Sequence, residues 1–493
     1  MRKKDYNQLY PMVRIALLLV AVIWIGYSCF GWFSHNYIWK SVKTTYKAVI
    51  VSPISYHQRT VSCDLLLTDC ESSLSANVGS RIKAHFLIDN DSSTSTLQIG
   101  DGLIINSRIK GLESRGKSQT IRNFDYNEYL KIHGYAGSTF IMPQNFHKEV
   151  ISLRNLSIIE RTKLKMLLTR DKLLVVLRSH IGNSEYPIVA AMALGDKTMI
   201  DKDIRETFSD TGVSHLLALS GLHISIIFSF IMLIFTPISY SGSNYSLRRI
   251  FTTIATIIPI WIYVLLVGMP VSAVRSAVMI TIYGLVGAIG RNRISINTIA
   301  LAAIIILAFN PLSLFDVGFQ LSFLALSGIH IFFPILDATI DARWLQEHRA
   351  VKWFWSATLI SISAQAATAP LIAYYFGTFS FTFLLANYFA IPLATLILYG
   401  SCIFFITSPI AILQLWIGKA ITTLVLTLTS ALKYIAALPY TAIHGIHINK
   451  VQVIFLYVIL AEFFWFWQHN HANRLKLLLI TVLVFLFYSF LRI

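Results

Sequence analysis

Charged residues are scarce in this chain. Only 13 % of its 493 residues are Asp, Glu, Lys or Arg, against 55 % hydrophobic residues, a balance that lies outside the range of soluble globular domains. Acidic residues are the scarcer kind, with 24 Asp and Glu against 41 Lys and Arg, so the formal net charge is +17. This composition excludes a soluble enzyme or binding domain and predicts a basic membrane protein.

Motifs for nucleotide and metal chemistry are also missing. No Gly-rich loop of the Walker type occurs, so the sequence predicts no nucleotide hydrolysis. The nearest approach to a zinc motif, His469-Asn-His471-Ala-Asn-Arg474, lacks an aspartate and a final histidine. We therefore expect neither a metal nor another cofactor, and the energy for any transport must come from a partner.

Cysteine is rare, with four in the whole chain. Cys29 and Cys402 lie in apolar runs, where a thiol usually acts as a small hydrophobic group. Cys63 and Cys70 lie in the polar N-terminal third, and their spacing suits a short loop that closes a hairpin. We expect a structural disulfide between Cys63 and Cys70, with two separate thiols as the alternative.

Long apolar runs dominate what is present. A helix needs about 20 apolar residues to cross the hydrocarbon of a bilayer. About eleven runs qualify, one near the N-terminus and ten after residue 212. The predicted spans are 13–33, 215–237, 250–268, 271–289, 295–309, 317–335, 355–376, 380–408, 411–437, 451–468 and 475–492.

The positions of Lys and Arg predict the orientation, because short basic loops stay in the cytoplasm. Basic residues at positions 2–4 and 14 place the N-terminus inside, and the loops with Arg248, Arg291, Arg349 and Arg474 then also fall inside. The first span is too long for the apolar core of a cleaved signal, so we interpret it as a retained anchor. The sequence predicts a multi-pass protein of the cytoplasmic (inner) membrane with residues 34–212 outside.

The region between the first span and the others has a different character. Short β-rich runs such as Tyr46–Val51, Arg81–Ile88 and Leu103–Ile109 alternate with Gly, Ser, Asn and Asp turns. Five or so such strands predict a small closed barrel of the oligonucleotide-binding (OB) type. The fold class is thus a polytopic α-helical membrane protein with an inserted extracytoplasmic β-barrel.

Five regions follow from these patterns. After the barrel comes an amphipathic linker with interfacial or re-entrant helices, broken near Gly195, and then the membrane core. The predicted boundaries are 1–12 for the cytoplasmic N-terminus, 13–33 for the anchor, 34–160 for the barrel, 161–212 for the linker and 213–493 for the core.

The exported part carries more positive charge than orientation alone explains. Residues 34–180 hold 20 Lys and Arg against 12 Asp and Glu. Such a surface suits single-stranded nucleic acid, whose phosphates pair with cations and whose bases stack on aromatic rings. A basic surface beside anionic lipid headgroups is the alternative, and charge alone favours it.

Polar residues interrupt the membrane core, where they are costly and seldom accidental. The segment His215-Leu-Leu-Ala-Leu-Ser220-Gly221-Leu-His223 holds three of them and a glycine. Helical spacing puts Ser220 and His223 on one face and His215 within about a quadrant of it, while Gly221 permits close approach of another backbone. The alternative is a packing helix whose histidines bond neighbouring carbonyls.

An arginine and an aspartate lie at the outer ends of two predicted spans. Arg275 follows Pro270 by five residues and needs a partner or water at that depth, and Asp316 is the nearest counter-ion by topology. The pair either contacts phosphate at a pore mouth or only fixes helix positions. Uncharged polar candidates for a path, or for helix–helix hydrogen bonds, are Gln320, Ser322, Gln365, Thr368 and Asn387.

These segments, with Gly268-Met-Pro-Val-Ser-Ala-Val-Arg275 and Asn310-Pro-Leu-Ser-Leu-Phe-Asp316-Val-Gly318-Phe-Gln320, occur in the order typical of one family. The chain resembles the competence DNA-uptake channels of the ComEC type over about residues 34–450. The resemblance implies a channel that passes single-stranded DNA inward during natural transformation. Because the chain ends early, we expect a short form without the metallo-β-lactamase-like domain of many members, and no enzymatic activity.

The resemblance also implies partners. They are single-stranded DNA, membrane lipids, a separate nuclease, a DNA receptor protein and a cytoplasmic helicase-like motor. Two other functions stay open. One is a small-molecule transporter or permease, and the other is an intramembrane serine hydrolase with Ser220 as nucleophile and His330 as the available base.

Overall fold

The computed structural model describes residues 43–56, 59–70, 78–88, 96–112, 120–121, 124–151, 156–239, 245–289, 296–340, 342–469 and 472–490. The predicted N-terminal tail and anchor, Cys29 and the loop with Arg291 lie outside these ranges. Within them the chain is mostly helical, and a separate curled sheet forms its N-terminal part.

Ten strands of the N-terminal part make up the sheet and a small ribbon beside it. They are β1 Thr44–Ile50, β2 Ser55–Tyr56, β3 Thr60–Cys70, β4 Arg81–Leu87, β5 Gly102–Ser107, β6 Ile109–Gly111, β7 Thr120–Ile121, β8 Phe124–Asp125, β9 Tyr135–Ile141 and β10 Phe146–Lys148. Helix α1, Tyr126–Ile132, stands between β8 and β9. The three runs predicted as strands are confirmed.

The sheet curls because two consecutive strands, β5 and β6, pair with the two ends of the strand order β1-β3-β4-β9. Strand β1 pairs with β3, β3 with β4, and β4 runs parallel to β9. Strand β5 pairs with β1, whereas β6, which follows β5 after Arg108 alone, pairs with β9. Alternation along β4 turns Ile82, Ala84 and Phe86 inward, where all three are fully buried.

The expected disulfide between Cys63 and Cys70 is wrong. Both cysteines lie on β3, a single continuous strand, with Cys63 opposite Ala84 and Cys70 opposite Tyr46. Seven residues of extended chain separate the two Cα atoms by about 23 Å at 3.3 Å per residue. A disulfide needs Cα atoms within about 7 Å, so the strand itself holds the thiols apart. Cys63 packs into the core of the sheet.

Fourteen further helices follow the sheet in the described part of the chain. They are α2 Ile158–Arg178, α3 Tyr186–Leu194, α4 Lys202–Asp210, α5 Gly221–Ser239, α6 Tyr245–Leu266, α7 Val271–Ala288, α8 Ile296–Phe309, α9 Val317–Asp337, α10 Ala342–Glu347, α11 Arg349–Phe376, α12 Phe383–Ile406, α13 Ala411–Ala436, α14 Lys450–His469 and α15 Ala472–Phe490. Two short strands, β11 Thr378–Ser380 and β12 Ala442–His444, pair with each other between the helices.

Each of the ten spans predicted after residue 212 coincides with one helix of this set. Seven of them, α7, α9 and α11–α15, are long and apolar enough to cross a membrane. The apolar parts of α5, α6 and α8 are shorter. The protein is therefore a helical membrane protein.

The linker contains three helices, α2, α3 and α4, which differ in what surrounds them. Helix α2 packs Leu164 and Leu167 against Val49 and Leu66 of the sheet. All nine residues of α3 are buried among α2, α12 and α13. It ends where Gly195 adopts a left-handed conformation with φ of 72°. The predicted break near Gly195 is confirmed, and α3 lies inside the bundle rather than on its surface.

Candidate functional site

The predicted ion pair between Arg275 and Asp316 is present. Asp316 caps the N-terminus of α9, where its Oδ2 accepts the Phe319 N–H at 2.9 Å. The same oxygen accepts a hydrogen bond from Nη1 of Arg275 at 2.5 Å. Arg275 is only 5 % exposed and Asp316 only 8 %. The N-terminus of α9 therefore stabilises the Asp316 carboxylate, and this carboxylate fixes the guanidinium.

Gly318 makes room for this guanidinium. A Cβ atom at position 318 would lie 2.7 Å from Nη2 of Arg275 and 3.2 Å from Oδ2 of Asp316, so any side chain there displaces the pair. Nε of Arg275 is buried and has no hydrogen-bond partner in the described structure. A buried donor without an acceptor is costly, and an incoming anion relieves that cost.

Helix α1 of the sheet domain roofs the ion pair. Nε2 of His133, just after α1, lies 3.9 Å from Oδ1 of Asp316, and Nδ2 of Asn310 donates to the Ile132 carbonyl at 3.2 Å. The rings of Tyr129 and His133 lie 4.1 Å apart. Partial burial and then the negative charge of Asp316 raise the pKa of the Tyr129 phenol. The sheet domain thus meets the helical core at this point.

Gln320 and Ser322 lie one turn further along α9. Nε2 of Gln320 donates to the Leu314 carbonyl at 3.0 Å, and its Oε1 accepts the Tyr375 hydroxyl at 3.1 Å. The Ser322 hydroxyl donates to the Gly318 carbonyl at 2.7 Å, within its own helix. Gln320 therefore joins α9 to α11, while Ser322 is occupied locally.

The prediction that His215 shares a helical face with Ser220 and His223 is wrong. Residues Ser214–Leu217 form a 3-10 turn, Ala218 is extended, and α5 begins only at Gly221. His215 is exposed, whereas His223 is completely buried. The sequence pattern could not reveal this break, because the residues on both sides of it are equally apolar.

Ser220 and His223 form a helix cap. Nδ1 of His223 accepts the Ser220 backbone N–H at 3.4 Å and lies 2.9 Å from the Ser220 hydroxyl. The pattern matches a capping box in which histidine takes the place of glutamate. Nδ1 is then the acceptor, and the proton sits on Nε2, which is buried without a partner in the described residues.

The capped segment rests on the helix that carries Arg275. The Ser272 hydroxyl donates to the Leu219 carbonyl at 2.5 Å, and a Cβ atom on Gly221 would lie 3.1 Å from the Ser276 hydroxyl. Gly221 therefore allows the close approach that the sequence predicts for it. Ser220, His223 and Arg275 belong to one region of the bundle.

Thr368 and Asn387 belong to a different place, between α11 and α12, and half-buried Gln365 lies on α11 one turn before Thr368. Nδ2 of Asn387 lies 3.4 Å from the Ser361 hydroxyl, while its Oδ1 is buried without a partner among the described groups. The Thr368 hydroxyl donates to the Ala364 carbonyl at 2.9 Å. The structure therefore gives two polar regions rather than one.

Several residues at the ion pair have no predicted role. They are Tyr129, His133, Asn310, Gly318 and Tyr375. Asn310 and Gly318 stand inside the segment from Asn310 to Gln320 noted in the sequence, which was the available signal, but only the three-dimensional arrangement assigns the contacts of all five. In the ranges that the structure covers, no group of three or more His, Cys, Asp or Glu side chains is placed to hold a metal ion.

Comparison with known proteins gives a consistent picture. A family model described as "Competence protein" matches residues 192–470, more than half of the chain. "ComE operon protein 3" of Bacillus subtilis is 30 % identical over 273 residues, which cover 55 % of this chain and 32 % of that protein.

Two further relatives are more distant. "Recombination protein 2" of Haemophilus influenzae is 22 % identical over 47 % of this chain and 29 % of its own length. The uncharacterised protein YcaI of Escherichia coli is 25 % identical over 43 % of this chain and 27 % of its own length. The matches thus span less than a third of each relative. No solved structure matches the chain.

Proposed function

The chain belongs to the competence protein family, and on that premise we propose that it carries single-stranded DNA across the cytoplasmic membrane during natural transformation. One observation supports this function most. A buried arginine with an unused donor lies beneath helix α1 of the basic sheet domain. A buried cation at the outer ends of spans is costly unless it binds an anion.

The ion pair suits a phosphate that binds for a short time and is then released along the path. A phosphodiester presents two oxygens in much the same geometry as the Asp316 carboxylate, so it competes for the same donors of Arg275. Asp316 holds the guanidinium in place between phosphates and keeps each phosphate from binding too tightly. Transport needs sites that release as readily as they bind.

Uncharged groups continue the proposed path below this point. Ser220 and His223 at the start of α5 are one such group, and Asn387 with its unsatisfied Oδ1 is another. Gln365 and Thr368 lie on α11 one and two turns beyond Ser361, the residue that Asn387 contacts from α12. Neutral amides and hydroxyls bind phosphate more weakly than lysine does, which suits onward movement.

We also propose that the curled sheet is an OB-like barrel outside the cytoplasm. Its pairing order, with β5 on β1, the next strand β6 on β9, and β4 parallel to β9, supports this interpretation. An anchor at 13–33 and ten spans after residue 212 place the N-terminus in the cytoplasm. The barrel then guides the incoming strand to Arg275.

The proposed partners are those that the family resemblance implies. A separate nuclease removes the other strand, a DNA receptor protein delivers DNA, and a cytoplasmic helicase-like motor supplies energy. Membrane lipids surround the core. We propose transport without catalysis, because the Ser220 hydroxyl is engaged by a residue of its own helix cap rather than by a base on another span.

A small-molecule permease is the second candidate. It has no use for a roof formed by an exported domain over the polar site. Competition by unlabelled DNA but not by metabolites separates the two functions, since only a DNA channel is blocked by DNA.

Transformation with genomic DNA tests the proposed function. In cells that carry Arg275→Ala, we expect transformation to fall at least tenfold while DNA capture at the cell surface and protein level in the membrane stay normal. The matched control is Arg349→Ala, an exposed arginine at the start of α11. Unchanged transformation after deletion of the whole gene would contradict the function itself.

A further inference from the structure

A second cluster of charges lies on the outer face of the sheet, around Asp64. In the register of β3 and β4, Asp64 stands opposite Lys83, whose Nζ donates to Oδ1 at 2.8 Å. The Tyr135 hydroxyl donates to the other oxygen, Oδ2, also at 2.8 Å. Asp64 is only 8 % exposed. The carboxylate is thus held from two sides, as Asp316 is held in the core.

Two more cations come from elements that pack beside this carboxylate, Arg81 from β4 and Lys163 from α2, whose Leu164 packs against Leu66 of β3. The Arg81 guanidinium lies 5.9 Å from the centre of the Tyr135 ring. Lys163 comes from α2, and burial together with the positive charge of Arg81 lowers the pKa of its amine to about 8, although Glu160 and Asp64 act in the opposite direction. Three basic side chains therefore lie near two acidic ones, Asp64 and Glu160, so the cluster carries an excess of positive charge.

The cluster lies beside the site in the membrane core. The Tyr135 hydroxyl donates to Asp64, and two residues earlier Nε2 of His133 lies 3.9 Å from Oδ1 of Asp316, so one short segment contacts both carboxylates. On the same helix as Lys163, Leu167 touches the turn at Gly268 that leads into α7. The Asp64 cluster and the Arg275 pair are thus neighbouring stations at one junction.

We propose that Arg81, Lys83 and Lys163 form a second phosphate site, which binds the backbone of single-stranded DNA one step before Arg275. The inference rests on the proposed function, because it names the contact that precedes the core. Asp64 occupies the cations when no strand is present, and the rings of Tyr135 and Tyr129 provide surfaces on which bases stack.

Binding of a short fluorescent oligothymidylate to the purified full-length protein in nanodiscs tests this site. With Lys163→Gln, we expect weaker binding and a slope of log affinity against log salt that is smaller by about 0.7, the value for one lost phosphate contact on a single strand. The control is Lys165→Gln, which makes the same charge change on an exposed residue two positions along α2, about 200° round the helix. It should leave the slope unchanged.

Stability provides the second readout. Removing a partly buried charge should raise the melting temperature of Lys163→Gln at pH 7, so affinity and stability are expected to move in opposite directions. A variant that lost affinity only because it was damaged would melt earlier. Arg81→Gln repeats the test at a second position and should also reduce the salt slope.

The outcomes separate the site from the function. If the wild type binds and the salt slopes of Lys163→Gln and Arg81→Gln equal the wild-type slope, the site is overturned and the proposed function stands. No binding by the wild type removes both. The assay is repeated in phosphatidylcholine and phosphatidylglycerol nanodiscs, because lipid phosphate has the same chemistry. If Lys163→Gln and Arg81→Gln weaken attachment to phosphatidylglycerol vesicles but not binding of oligothymidylate, the cations bind lipid and the proposal is overturned.

Discussion

At the scale of the residue, this protein pairs cations with buried carboxylates. Arg275 and Lys83 each donate to an aspartate, and each aspartate has a second donor, the Phe319 N–H for Asp316 and the Tyr135 hydroxyl for Asp64. Removal of one partner of a buried pair leaves an uncompensated charge. Stability and transport therefore respond differently to substitutions at these positions.

The pair in the core gives the first prediction. Asp316→Ala leaves the Arg275 guanidinium buried and unpaired, which should lower the free energy of unfolding by about 3–5 kcal/mol. Arg275→Met combined with Asp316→Ala removes both charges and should recover most of that loss. Thermal unfolding of the purified variants measures this difference.

Transport should not recover with stability. The double variant lacks the phosphate contact, so transformation is expected to stay as low as with Arg275→Ala alone. Recovery of transformation in the double variant would show that the pair only fixes helix positions.

Lys163 gives a prediction about pH. Its pKa in the folded protein is lowered from the ordinary 10.5 to about 8, so the unfolded chain binds more protons between these values. Stability should therefore rise as pH increases from about 8 toward 10.5, and the penalty is present in full below pH 8. Melting temperatures across this range should rise less steeply for Lys163→Gln than for Lys165→Gln. Parallel curves for the two variants would contradict the assignment.

At the scale of the element, helices were easier to predict than their interruptions. Each of the ten apolar runs after residue 212 became a helix, because hydrophobic length is a strong signal in a single sequence. The break at Ala218 was not predicted, since neither proline nor a polar run marks it. Tertiary packing of Leu219 against Gly195 and of Ser272 against its carbonyl holds that segment instead.

The strand that carries both cysteines was mispredicted for a related reason. Cys63-Asp-Leu-Leu-Leu-Thr-Asp-Cys70 contains no Gly, Pro or Asn to form a tight turn, so the run continues as one strand. The spacing of the cysteines suggested a loop, but the residues between them favour extension. Backbone pairing with β1 and β4 on both sides then fixes it.

Mass spectrometry without reduction tests the corrected assignment. After alkylation of unfolded protein from membranes, Cys63 and Cys70 should each carry the label, and no peptide linked between them should appear. In the folded protein Cys63 should react slowly, because it is fully buried and burial raises the pKa of its thiol to about 12. A linked Cys63–Cys70 peptide would contradict the continuous strand.

Helix contact in the core depends on Gly328. A Cβ atom there would lie 2.7 Å from the Ser363 carbonyl oxygen on α11, which is backbone and cannot move aside. Gly328→Ala should therefore push α9 from α11 and cost about 1–3 kcal/mol. At Gly400 the nearest atom is a flexible Ile421 side-chain carbon at 3.1 Å, so Gly400→Ala should cost much less. Melting temperatures of the two variants provide the comparison, and equal losses would contradict close α9–α11 contact.

At the scale of the whole molecule, the junction between sheet and core decides how the parts work together. The partnership of Arg275 and Asp316 could be predicted from topology, because both lie at ends of predicted spans that fall on the same side of the membrane. The roof of Tyr129 and His133 could not, since a contact across some 180 positions of sequence leaves no local pattern. Asn310 makes that contact through the carbonyl of Ile132.

Asn310→Ala tests the junction as a unit. Loss of its hydrogen bond should loosen α1 over the ion pair, and we expect transformation to fall several-fold while oligothymidylate affinity of the purified protein stays the same. The reason is that the binding groups remain and only their alignment with the core is lost. Equal losses of affinity and transformation would instead make Asn310 part of the binding surface.

The broken segment around Ala218 affects how mutants of this protein are to be interpreted. Where the chain leaves helical geometry inside a bundle, its amide and carbonyl groups take their partners from neighbouring helices or from water. Those groups are the same for every amino acid. An alanine scan across 211–220 therefore leaves the polar groups of the main chain in place and under-reports their contribution to function. An inserted residue shifts every carbonyl at once and reveals that contribution.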